Sequence, residues 1–175
     1  ASDSTQSVMN VKKLLSEHSI DALIGPSGSP NAVGVVAFMA EAGTPMLAPV
    51  GTTAVVLPMD DKKRWVFKTT QNDQLISEAL IGHMVKAGVK TVGFIGFNDP
   101  YGENWYAVFN TQAQKAGIKI VANERFLRTD SSVTGQVAKL MAAKPDVVLV
   151  AAAGGPTVLP QITLRDQGYK GTIYQ

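Results

Sequence analysis

The sequence predicts an α/β protein built on parallel sheets, and three observations carry that prediction. Short apolar runs alternate with segments of helical periodicity along most of the chain. Several of the apolar runs lead into turns rich in Gly, Pro or Ser, the punctuation of strand-to-helix connections. The run Asp146-Val147-Val148-Leu149-Val150 is apolar without alternation, as a parallel strand buried on both faces should be.

The elements follow in order. Val8, Val11, Leu14 and Leu15 recur at helical spacing, with Asp3 or Ser4 as N-cap. Ala1-Ser2-Asp3-Ser4 reads as the start of that helix and not as a signal peptide. Ala22-Leu23-Ile24, followed by Gly-Pro, reads as a buried strand. Residues 30–42 form a second helix through Val33, Val36, Ala37 and Ala40, and Pro45–Ala48 a second strand. Asp73 caps a helix carrying Leu75, Ile76, Leu80, Met84 and Val85. Thr91–Gly96 is a buried strand, Gly102–Lys115 a helix and Lys119–Glu124 a strand. A helix over Val133–Ala143 stops at Lys144-Pro145, ahead of the strand 146–150. A last helix, Thr157–Gln167, leads to Thr172-Ile173-Tyr174. Such alternation means βαβ units, with helices on both faces of the sheet.

One stretch breaks the rhythm. Pro49–Asp73 holds two prolines, a charged tract and the lone strand Trp65-Val66-Phe67-Lys68. A long irregular connection in a compact α/β chain is usually a functional loop or a domain crossing. Residues 1–68 are therefore assigned to part of an N-terminal lobe, 69–73 to a hinge crossing and 74–175 to part of a C-terminal lobe. The first lobe has only two or three strands, the chain opens on a helix and it ends on a strand. The sequence is thus expected to be an incomplete piece of a longer fold, whose open sheet edges would favour self-association in isolation.

Composition excludes several functions. The chain is 45% hydrophobic and 17% charged with a net charge of +2, and it lacks the concentrated basic surface that tracks nucleic acid. Its one basic cluster, Lys62-Lys63-Arg64, follows Asp60-Asp61 and reads as a solvated loop. With no cysteine, thiolate metal sites, thiol nucleophiles and disulfides are ruled out. No metal or cofactor is expected. No apolar run approaches the ~20 residues of a membrane span.

Open parallel sheets bind ligands beyond the carboxyl ends of their strands, which directs attention to four loops. Gly25-Pro26-Ser27-Gly28-Ser29-Pro30-Asn31 and Pro49-Val50-Gly51-Thr52-Thr53 offer hydroxyls and free backbone N–H groups at helix starts. Such groups hold a carboxylate without a formal positive charge. Phe97-Asn98-Asp99-Pro100-Tyr101-Gly102 offers an aromatic wall and a phenol; Ala151-Ala152-Ala153-Gly154-Gly155 offers space. Each has a plainer reading: Ser29 as a helix N-cap, Thr52 and Thr53 as turn residues, Tyr101 as a half-buried packing residue. Convergence of all four loops on the sheet edges favours a binding site. Enzyme signatures are weak. Gly25-Pro26-Ser27-Gly28-Ser29 ends in serine where a nucleophile elbow has glycine. His18 sits at a helix end and His83 mid-helix beside Leu80 and Met84, which fits surface or packing roles for both. No dinucleotide or Walker motif is present.

The ordered set Asp21–Ser29, Gly43–Pro49, Trp65–Thr69, Gln71-Asn72-Asp73, Thr91–Gly96, Asp99–Glu103 and Pro145–Val148 resembles the Leu/Ile/Val-type (branched-chain amino acid) periplasmic solute-binding proteins of ABC transporters. The resemblance covers essentially the whole chain. It implies a type I periplasmic-binding-protein-like fold: two Rossmann-like lobes joined by three crossings, a ligand held between them, and docking on a membrane permease. In that pattern Ser29 and the backbone and hydroxyl of Thr52 hold a ligand carboxylate. Carbonyls at Val50 and Gly51, with the Thr52 hydroxyl, help hold an α-ammonium. Tyr101 covers the ligand from the other lobe. The family's second aromatic near Ala153 is replaced here by small residues up to Gly154, and its acidic partner for the ammonium lies beyond Gln175. The stretch Asp61–Asp73 is similar to the aromatic-acid branch of the family. The resemblance thus leaves a branched-chain or other amino acid, or an aromatic acid, as ligand.

The expected function is a non-catalytic receptor delivering a small carboxylate to an ABC importer, located in the periplasm through a leader that would precede this sequence. A cytoplasmic ligand-sensing regulator on the same fold is the alternative. An enzyme using Ser27 or Ser29 is a third reading.

Overall fold

The computed structural model describes residues 3–175; Ala1 and Ser2, read above as the approach to the first helix, lie outside the described residues. The chain divides into two compact units, the first ending at Asp73 and the second spanning Gln74–Gln175.

In the first unit, α1 (Ser4–Glu17) begins where the Asp3 side chain accepts from the Gln6 N–H, a cap that satisfies one of the orphan donors of the first turn. The strands β1 (Leu23–Ile24), β2 (Met46–Ala48) and β3 (Val66–Lys68) form a parallel sheet in that order. Helix α2 (Ser29–Glu41) links β1 to β2, and α1 packs against it. Ala32, Val35, Val36 and Met39 of α2 share one buried cluster with Met46, Ala48 and Val66 of the sheet and Val11 of α1. The irregular stretch expected after Pro49 contains two 3₁₀ turns, Thr53–Val55 and Lys63–Trp65.

The opposite sheet face differs from expectation. Ile24, Leu47 and Phe67 are direct neighbours across the three strands, and Ile24 is 81% exposed and Phe67 56%. The strand at Ala22–Ile24, read as buried, is therefore covered on one side only, because α2 and α1 both belong to the cluster on the other.

The second unit has a parallel sheet of order β5-β4-β6-β7: β4 (Thr91–Phe97), β5 (Lys119–Phe126), β6 (Val147–Ala151) and β7 (Thr172–Tyr174). Both faces are covered, as a parallel sheet requires. On one, Val92, Phe94, Val147 and Leu149 meet Ile81 and Met84 of α3 (Asp73–Lys86) and Trp105, Phe109 and Ala113 of α4 (Pro100–Lys115). On the other, Ile95, Phe97, Val148 and Val150 meet Val137 and Leu140 of α5 (Thr134–Ala142) and Leu164 of α6 (Val158–Asp166). At the amino edge, Asp146 Oδ2 accepts from the Lys90 and Thr91 N–H groups, both at 2.8 Å, and the Asp146 N–H donates to Thr91 Oγ1. Those contacts hold the Asp146 carboxyl below the usual carboxylate range.

Several boundaries shift. α4 starts at Pro100, ahead of Gly102, because Asp99 caps it. β5 runs two residues further, to Phe126, and a 3₁₀ turn over Gly155–Thr157 precedes α6. α3 turns a different face inward: Asp73, Ser77, Ile81 and Met84 are buried, while Leu75, Ile76 and Val85 are exposed. Apolar residues surround that helix, so its periodicity does not single out one face. Packing beside Phe94 and Phe109 selects Ile81 and Met84.

Candidate functional site

The strands of each sheet run parallel, so the loops that leave their carboxyl ends share an edge. In the first unit that edge carries Ser29, Val50, Gly51 and Thr52. In the second it carries Tyr101, Ala153 and Gly154.

At the first edge, Gly25 leaves β1 at φ +112°, a conformation few residues but glycine adopt freely. The loop then delivers the first turn of α2. The cap position belongs to Gly28, with no side-chain cap, so Ser29 is not the N-cap. Ser29 is 3% exposed, and its hydroxyl has no hydrogen-bond partner among the described residues. The buried polar side-chain atoms without a partner among the described residues are Asn31 Oδ1, Ser77 Oγ and Trp105 Nε1, so the Ser29 oxygen itself reaches solvent and is open to a ligand. Beside it lie the unpaired N–H groups of a helix start, which favour negative charge.

The second loop is more occupied than its sequence suggests. Thr52 is fully buried, and its Oγ1 accepts from the Ala54 N–H at 3.2 Å, capping the first 3₁₀ turn; its hydroxyl proton is left to donate elsewhere. The Val50 carbonyl accepts a hydrogen bond of 2.6 Å from the Thr70 hydroxyl. Gly51 lies against Asp73: a Cβ there would stand 2.8 Å from Asp73 Oδ1. Lys68, at the end of β3, donates to the Thr70 carbonyl (2.9 Å), Thr70 Oγ1 (3.2 Å) and the Gln71 carbonyl (2.7 Å). Burial lowers the Lys68 pKa, and the Asp73 carboxylate opposes that shift.

At the second edge, Tyr101 sits in the first turn of α4, half-buried, with its ring 6.3 Å from Phe97. Asp99 fixes that turn: Oδ1 accepts from the Tyr101 and Gly102 N–H groups at 2.8 and 3.2 Å, and Oδ2 pairs with Arg128 Nε at 2.6 Å. The Arg128 guanidinium lies 4.0 Å over the Phe97 ring. Gly102 is required by crowding, because a Cβ there would collide with the Phe97 carbonyl oxygen. One turn on, Glu103 takes a bidentate pair from Arg125, which holds its carboxyl below the ordinary range. Ala153 and Gly154 are exposed, Gly154 at φ +72°, and leave their part of the edge open.

Thr70, Asp73 and Arg128 contact residues of these loops but are not among the residues singled out from the sequence as ligand-binding. Thr70 and Arg128 lie on the loops that follow β3 and β5 and Asp73 begins α3 after the first of them, positions that obey the same carboxyl-edge rule. A cavity of about 930 Å³ is an open groove between α1 and α2 lined by Met9, Lys12 and Phe38. It is a cleft between two helix surfaces whose lining includes neither Ser29 nor Val50–Thr52. Among the described residues no three acidic or histidine side chains gather as metal ligands, and no helix is long and apolar enough to cross a membrane.

Comparison with known proteins gives this arrangement its context. No curated protein matches the chain. An extracellular ligand-binding receptor from Rhodopseudomonas palustris HaA2 is 45% identical and superposes with a TM-score of 0.95 over 99% of this chain and 48% of its own. A second from the same organism is 40% identical, with a TM-score of 0.92 over 99% and 48%. A solute-binding protein of an ABC transporter from Rhodopseudomonas palustris HaA2, solved in complex with p-hydroxybenzoic acid, is 18% identical with a TM-score of 0.86, over 99% and 47%. It shares the fold. The chain thus spans about half the length of the solved structures it matches. These neighbours are ligand-binding receptors, and the periplasmic binding protein family matches residues 1–175. With its parallel α/β sheets and type I architecture, the chain belongs to the periplasmic binding protein family.

Proposed function

We propose that the full-length protein is an extracytoplasmic receptor that captures a small carboxylate and delivers it to the membrane permease of an ABC importer. The observation that carries this reading is Ser29: a residue 3% exposed overall whose hydroxyl has no protein partner among the described residues and reaches solvent, in the first turn of α2, on the sheet edge shared with Val50–Thr52. A carboxylate would satisfy that hydroxyl and the N–H groups beside it. Tyr101, Ala153 and Gly154, on the second unit's own carboxyl edge, are included in this reading on the strength of the family resemblance. The small, exposed Ala153-Gly154 loop favours a bulky, aromatic carboxylate over a small aliphatic one.

The test is a thermal-shift screen of the full-length protein against amino acids and aromatic acids. A true ligand stabilises the folded state by about 2.7 kcal/mol at a hundredfold excess over Kd. A sugar or nucleotide that raises the melting temperature, with every carboxylate silent, refutes the proposal.

A further inference from the structure

We infer that Thr70, backed by Lys68, is a positioning residue of the ligand loop, so that the segment leaving β3 sets the shape of Val50–Thr52. This rests on the carboxylate-receptor reading above. The hydrogen bonds have only one possible sense. The Val50 carbonyl accepts only, so the Thr70 hydroxyl must spend its single proton there, across 2.6 Å. Its lone pair receives Lys68 Nζ at 3.2 Å, and the other two Lys68 protons go to the Thr70 and Gln71 carbonyls. All three protons of the ammonium are thereby placed, and its charge strengthens the bond that Thr70 makes.

The consequence passes through the peptide plane. In a trans peptide the carbonyl of Val50 and the N–H of Gly51 point to opposite sides of one rigid unit. Anchoring the carbonyl on Thr70 therefore aims the Gly51 N–H away from Thr70, and that N–H has no partner among the described residues. Asp73 limits the loop from a second direction, since its carboxylate occupies the space a Gly51 side chain would need. Thr70 need not touch the ligand. It orients a donor that would.

The experiment measures 4-hydroxybenzoate and L-leucine binding by calorimetry on the full-length wild type and on Thr70→Val, Thr70→Ser and Thr69→Val. Unliganded melting temperatures are recorded alongside. Thr70→Val keeps the shape and removes the proton; it should weaken whichever probe the wild type binds about tenfold, equivalent to about 1.4 kcal/mol, at an unchanged unliganded melting temperature. Thr70→Ser should restore affinity, and Thr69→Val, altering the exposed neighbour, should leave it as in the wild type. If Thr70→Val melts lower unliganded, Lys68→Met becomes the deciding variant, with an expected loss of about threefold, about 0.65 kcal/mol. Affinity within twofold of wild type in the deciding variant, or a serine variant as weak as the valine one, overturns the inference while the receptor reading stands. A wild type that binds neither probe nor any other carboxylate overturns the receptor reading, and this inference with it.

Discussion

Asp99→Ala removes two supports from the turn that presents Tyr101. The first is the N-cap of α4, where Oδ1 accepts from two backbone N–H groups; losing such a cap costs about 1 kcal/mol. The second is the pair with Arg128, whose side chains are 15% and 20% exposed. Truncating one partner of a fully buried pair costs about 3–5 kcal/mol. Arg128 keeps the Phe97 ring beneath it and some access to water, which reduces that term to about 1–2 kcal/mol by comparison with exposed pairs. The expected total is about 2–3 kcal/mol. Asp99→Asn separates the terms, because asparagine caps as well as aspartate and loses only the charge; it should cost about 1–2 kcal/mol. Urea denaturation of the full-length protein, with m-values compared, reads both. A loss below about 0.5 kcal/mol for Asp99→Ala, or equal losses for the two variants, refutes the two-part account.

Three further outcomes are expected. Tyr101→Ala should weaken carboxylate binding while leaving the far-UV circular dichroism spectrum unchanged; unchanged affinity would remove Tyr101 from the site. Gly51→Ala must displace Asp73 or the loop, since the new Cβ starts 2.8 Å from Oδ1, so calorimetry should show a weakened Kd. Asp146 binds its proton more weakly in the folded chain than its ordinary value of 3.8. Its contribution is therefore complete above about pH 4 and lost as pH falls through the lowered folded pKa. The stability gap between wild type and Asp146→Asn should narrow as acid is added from pH 5 to pH 2; a gap independent of pH would show that the carboxylate charge is not what matters.

Much of the fold was legible because alternation of apolar runs and helical periods is dictated by the backbone itself. The strand at Val147–Ala151 reads directly from its unbroken apolar run. α3 did not, because its apolar residues leave no unique face, and only packing beside Phe94 decides which side is buried. Ser29 and Thr52 were legible as carboxyl-edge hydroxyls. That Thr52 caps a 3₁₀ turn is a contact two residues long, in keeping with its reading as a turn residue, but that Val50 is taken up by Thr70 depends on a contact twenty residues apart, which no local pattern encodes. Arg128 escaped for the same reason. Its partner Asp99 is 29 positions away, and the two meet because β5 lies beside β4.

The row formed by Ile24, Leu47 and Phe67 also bears on how unfolding would be monitored. A dye that fluoresces in apolar surroundings usually stays dark on a native protein and brightens as the core opens. Here three neighbouring side chains form a ready binding strip on the folded first unit. For this chain taken alone the signal should start high and fall when the sheet separates and the strip disperses. The second unit, with both sheet faces covered, should give the ordinary rise. A single heating trace would then report two melting events by opposite signs, and Phe67→Ser should abolish the first without touching the second.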